Sequence, residues 1–138
     1  MTALTQDRNT PRLEGGVYEA GVAAATKLFG GSLGCFNAAG YLVPGSTSTT
    51  LKAAGRIEKQ VDNSGGAAGA KSAKYRPGIY RFANSASADL ITIADVANDC
   101  YIVDDQTVAK THATNTRSIA GKIVMVDSLG VWVKVGID

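Results

Sequence analysis

Turn signals interrupt this chain every few residues, and that punctuation limits what it can fold into. Gly15-Gly16, Gly30-Gly31, Pro44-Gly45 and Pro77-Gly78 each separate short runs of strand-forming residues, as do residues 37–40, 104–105 and 127–130. Segments this short suit strands, and glycine or proline at their ends prevents them from merging into helices. Residues 17–20, 33–37, 41–43, 51–61, 71–76, 79–82, 100–103, 107–109, 118–126 and 131–137 therefore read as extended. The small residues 20–26 resemble a helix in composition, but Gly21 and Gly30-Gly31 argue against one. The chain's one helical period is Leu90, Ile93, Ala94 and Ala97, behind Asp89 as a cap, and predicts about two turns.

Alternation supports the strands. Tyr80 and Phe82 share a face opposite Arg81, and Arg56 and Glu58 oppose Ile57 and Val61. Val131, Val133 and Val135 form one face of the last strand, with Trp132 and Lys134 on the other. Around residues 127–130 this predicts a hairpin. The glycine-rich residues 62–70 read as the most flexible interior stretch, a loop tip between strands. The expected fold is all-β: a small β-sandwich or barrel-like body with one short helix, behind an extended N-terminal arm. Residues 1–14 form the arm and residues 15–138 the single β domain, as a length of 138 residues suggests. With 21 alanines and 16 glycines, the core rests on a limited set of Val, Ile, Leu and nine aromatics. Oligomerisation is a natural further source of stability for such a core.

The arm is polar, with Leu4 and Leu13 as its apolar anchors. Pro11 withholds a backbone donor and biases Thr10 towards extended geometry. Such a segment cannot offset its own ordering entropy, so order in it requires a second surface.

Chemistry is harder to find. Fourteen basic and twelve acidic residues give a net charge of +2 with the signs interspersed, unlike the basic stripe of a nucleic-acid binder. Lys71, Lys74, Arg76 and Arg81, the densest basic stretch, read as solvated strand faces. Cys35 and Cys100 lack metal-ligand spacing and read as free buried thiols, with a disulfide as the alternative. The N-terminus has no apolar signal segment and no run is long enough to span a bilayer. The expectation is a protein made and used in a cytoplasm, without a membrane partner.

Asp104-Asp105 reads as a turn, because neighbouring strand residues point to opposite faces. His112, the single histidine, reads as a solvated loop residue. The Gly65–Ala70 glycine loop lacks the lysine and hydroxyl of a phosphate-binding loop. Trp132 beside Lys122 or Lys134 suggests a stacking platform, but an aromatic in a hairpin more often packs on a neighbour. No catalytic, metal or cofactor residue is assigned, and the expectation is a protein that is not an enzyme.

The segments ALTQDRNTPR, AAGYLVPGSTSTTLKAAGRIEKQVDNSGG, YRPGIYRFANS, DCYIVDDQTVAKT, TRSIAGKIVMVD and GVWVKV span most of the chain. In order and loop signature they resemble the capsid cement, or head decoration, proteins of tailed bacteriophages of the Mu-like Pseudomonas type. The resemblance implies a structural virion protein on the outer surface of the expanded capsid, assembled in the host bacterial cytoplasm. It further implies a homotrimer at three-fold or quasi-three-fold sites that locks neighbouring major capsid protein subunits together. On that reading the arm makes the coat contact through Thr2, Leu4, Arg8, Pro11, Arg12 and Leu13, with Arg8 and Arg12 facing coat carboxylates. The alternative from a different class is a small β-barrel that binds single-stranded nucleic acid or glycan through Tyr75, Tyr80, Phe82 or Trp132. An enzyme site built from Asp104, Asp105 and His112 ranks last.

Overall fold

The computed structural model describes residues 2–10 and 16–137. The elements are strands β1 (Tyr18–Gly21), β2 (Thr26–Leu28), β3 (Leu33–Phe36), β4 (Leu42–Pro44), β5 (Lys52–Ile57), β6 (Val61–Asn63), β7 (Ser72–Arg76) and β8 (Gly78–Phe82). After two 3-10 turns come β9 (Asp99–Ile102), β10 (Val108–Ala109), β11 (Ile119–Asp127) and β12 (Gly130–Val135). One five-stranded sheet has the order β1-β7-β5-β3-β4, a second the order β10-β9-β11-β12-β8, and β2 pairs with β6 alone. All strand pairs are antiparallel, and neither large sheet closes into a barrel.

Strand alternation makes the first sheet the middle layer. Leu33 and Cys35 of β3 face the second sheet and pack with Phe82, Cys100, Ile102, Ile123, Val131, Val133 and Val135. On its opposite face Leu42, Ala54, Ile57 and Ala73 pack with Val22 and Leu28 towards the β2-β6 pair. Adjacent residues divide between the two cores as the pleat requires: Val43 lies with the first and Leu42 with the second. A bulge on β5 allows Ala54 and Ile57 to share a face, because Gly34 pairs with Gly55 while Cys35 pairs with Ala53. A β-carbon on Gly34 would run into the Ile57 Cδ1 methyl, so this crossing accepts only glycine without movement.

One strand expectation changes. Residues 51–61 are not one strand: β5 ends at Ile57 and β6 begins at Val61 in a different sheet. The Pro77-Gly78 turn joins two strands as expected, and it is the corner where the chain passes from the first sheet to the second.

The helical period at 90–97 resolves into two single 3-10 turns, Ser87–Asp89 and Ile93–Asp95, and the described residues contain no α-helix. Burial explains the interruption. Ile91 is buried between the turns, and the Asn84 side chain holds it from both sides. Asn84 Nδ2 donates to the Ile91 carbonyl at 2.9 Å, and the Ile91 N–H donates to Asn84 Oδ1 at 3.0 Å. Leu90 takes an extended conformation after its turn.

Candidate functional site

Residues 2–10 of the arm are exposed throughout, and Leu4 is 72% exposed. The Thr10 N–H donates to the Arg8 carbonyl at 3.1 Å, and the Arg8 guanidinium donates to the Thr10 hydroxyl at 3.4 Å. Among the described residues no hydrogen bond joins residues 2–10 to the body. Thr2, Leu4 and Arg8 are thus presented outward on one segment, while Pro11, Arg12 and Leu13 lie outside the described residues.

The aromatic residues Tyr75, Tyr80, Phe82 and Trp132 do not form one platform. Phe82 is buried between the sheets, and Tyr80 packs against that core beneath the Arg56 guanidinium, 4.8 Å from its ring. Trp132 lies on the outer face of the second sheet under Arg81, and its Nε1–H donates to Asp127 Oδ2 at 2.9 Å.

Tyr75 instead joins two rings that sequence reasoning did not single out. Tyr18 stands 5.9 Å away as its register partner, and Phe36 meets it edge-on at 5.4 Å. Together with Lys52, Pro77 and Ile137 they line an open cleft of about 360 Å³. Burial pushes the Tyr75 hydroxyl above its ordinary pKa. Only strand pairing brings residues 18, 36 and 75 together, so no local signal marks them.

The acidic and histidine candidates serve turns. Asp104 Oδ1 accepts the Gln106 N–H at 2.9 Å, as a turn aspartate does. His112 Nδ1 accepts the Asn115 N–H at 2.8 Å, and its ring meets Tyr101 edge-on at 5.6 Å. That contact caps three successive residues with left-handed backbone, Ala113, Thr114 and Asn115. His112 therefore organises its loop, which its expected role as a merely solvated residue left out. No group of three or more metal-ligating side chains converges among the described residues. Cys35 and Cys100 are free and buried, and burial pushes both thiols up to about 12.

Charge is used locally. Glu58 Oε1 bonds Arg56 at 2.7 Å with Arg76 at 3.7 Å, and the Arg56 bond holds the carboxyl below its ordinary pKa. Arg117 Nη1 reaches Asp89 at 3.1 Å and the Thr111 carbonyl at 3.1 Å. The arrangement offers exposed contact surfaces, namely the arm, the aromatic cleft and the 85–98 loop. No family model matches the chain, and no curated protein and no solved structure matches it either.

Proposed function

We propose that this protein is a capsid cement protein: it binds the outside of an expanded phage shell, as a homotrimer, and ties neighbouring major capsid protein subunits together. The observation that carries the reading is the arm. An outward-facing polar segment carrying Leu4 and Arg8, with no hydrogen bond to its own body among the described residues, is suited to ordering on another surface. The family resemblance of the sequence names that surface as the coat lattice.

The energetics require several arms. Fixing each backbone residue costs about 1–2 kcal/mol, so one short arm binds weakly. Three linked footprints make the later contacts intramolecular and raise avidity by roughly 10²–10⁴. A footprint that exists only after coat subunits rearrange gives differential affinity, which stabilises the expanded shell by linkage.

Co-sedimentation with expanded and precursor shells tests this. Saturable binding to expanded shells alone is expected, and removal of residues 2–12 should abolish it while leaving the body folded. Full binding by the shortened chain would refute the role of the arm, and no binding by the intact chain would refute the function.

The aromatic cleft favours a second reading, a module for glycan or single-stranded nucleic acid, since its half-buried rings open to solvent on one side and such rings stack on sugars and bases. Titration with oligosaccharides and oligonucleotides at low salt, followed by Tyr75→Ala, distinguishes it. Loss of measured binding in that variant is the outcome this reading requires.

A further inference from the structure

We propose that the outer face of the second sheet is the docking surface of the body, and that its partner is an acidic, partly apolar patch on the outside of the coat. The inference rests on the cement reading above and deepens it: the arm supplies one contact and this face supplies another.

The ladder sets the composition of this face. Val131, Val133 and Val135 point into the core, so Trp132 and Lys134 of β12 point out. Register places Lys122 of β11 and Ile79 of β8 on either side of Lys134, and Met125 and Arg81 on either side of Trp132. Two adjoining rungs thus gather three cations around one indole. Lys122 directly opposite Lys134 is a like-charge pair, an arrangement that costs a sheet stability. Asp99, the register partner of Lys122 on its other side, answers only that lysine, with an ion pair at 2.9 Å. Lys134 and Arg81 make no ion pair among the described residues. The Arg81 guanidinium lies over the indole instead, 5.6 Å from the ring centre. Asp127 is already engaged, since Oδ2 accepts the Trp132 Nε1–H and Oδ1 caps the turn. Beside the cations Ile79 and Met125 are each 49% exposed.

Charge and composition together select the partner. Unanswered positive charge on a fixed sheet face is complementary to carboxylates. Aromatic residues, methionine and arginine are the types that protein interfaces gather. A protein surface also offers apolar contacts to Ile79 and Met125, which a phosphate backbone does not. A second copy packed face to face would set Arg81, Lys122 and Lys134 against their own kind. A base or sugar stacking on Trp132 would compete with the guanidinium already over that ring.

Charge reversal tests the assignment, with co-sedimentation on expanded shells as the readout. Arg81→Glu combined with Lys134→Glu should weaken binding about tenfold at low salt while the circular dichroism spectrum stays unchanged. Lys134→Glu alone takes its place if the double variant does not fold. The loss should shrink as salt rises, because screening removes the repulsion as well as the attraction. Lys52→Glu with Lys59→Glu, at exposed positions off this face, makes a matching change of charge and should bind as the wild type does. A double variant that binds like the wild type overturns the docking face and leaves the cement reading standing. A wild-type chain that ignores expanded shells sinks that reading and this inference with it. An equal loss in the Lys52, Lys59 chain overturns the inference too, since net charge and not the face would then drive binding. A single-stranded oligonucleotide bound by the wild type and released by the double variant would reassign the face to nucleic acid and overturn the acidic protein partner.

Discussion

The buried amide of Asn63 donates to the Ala23 and Ala67 carbonyls, each at 3.0 Å, and more weakly to the Val22 carbonyl at 3.4 Å. It thereby ties β6 to the segment after β1 and fastens the glycine-rich stretch that follows. Residues 62–70 read from sequence as a free loop tip because glycine and alanine advertise backbone freedom. Part of the restraint is local, through the Ala67 carbonyl, but the tie to the body comes from carbonyls some forty positions earlier, which no local signal reveals. Asn63→Ala should cost about 2–3 kcal/mol in urea unfolding, since it strands carbonyls that water cannot easily reach. Asn63→Asp should recover none of this, because its oxygens would face the same carbonyls. Acidic side chains supply a second residue-scale prediction. Thr92 bonds to Asp95, Thr111 and Arg117 bonds to Asp89, and Trp132 and backbone bonds to Asp127 each hold a carboxyl below its ordinary 3.8. A lowered folded pKa gives stability that is present above the unfolded value and is lost as pH falls through the folded one. The thermal midpoint should therefore be level above about pH 5 and fall from about pH 4 downwards. Asp95→Asn should make that fall shallower; an acid limb of unchanged depth would remove Asp95 from the account.

Among elements, those whose partners are close in sequence were the legible ones. β11 and β12 stand as a hairpin whose turn is capped by Asp127 Oδ1, which accepts the Leu129 N–H at 2.8 Å and the Gly130 N–H at 3.0 Å. The inward Val131, Val133 and Val135 are fully buried, as alternation requires. The Asn37 turn between β3 and β4 was equally local, since its Oδ1 accepts the Ala39 and Tyr41 N–H groups. What alternation does not carry is which sheet a strand joins, so the sheet change at Pro77 and the break between β5 and β6 were invisible. Nor does a helical period reveal that Ile91, within its span but off its face, will be drawn into the core and split it. The arm was legible as polar, and its residues 2–10 are exposed throughout. The β3–β5 crossing permits an element-scale test. Gly34→Ala places a methyl against the Ile57 side chain and should destabilise the protein by about 1–3 kcal/mol. Adding Ile57→Val should return part of that loss, since the valine lacks the Cδ1 methyl that the new side chain meets. Additive losses in the double variant would place the strain elsewhere.

The two cysteines report on the whole molecule because they sit on facing layers of one core. Cys35 lies on β3 of the first sheet and Cys100 on β9 of the second, and both belong to the cluster between the sheets. Each is fully buried, and Cys100 donates its thiol to the Gly121 carbonyl at 3.6 Å. With thiols pushed up to about 12 by burial, neither offers a thiolate to a disulfide reagent near neutral pH until the layers part. Labelling should then follow the opening of the sandwich, and Cys35→Ser and Cys100→Ser chains, each retaining one thiol, should label at matching rates once differences in their stability are corrected. Equal rates mean that the sheets separate as one unit. Faster labelling of Cys35 would mean that the first sheet opens while the second stays paired, a sub-global unit of the kind seen where local stability is uneven. The same measurement reaches the assembled state. If copies associate, association should stabilise the folded chain by mass action and slow labelling of both thiols as protein concentration rises. Labelling of the wild-type chain that is independent of concentration throughout the range where it assembles would show that association does not restrain this core.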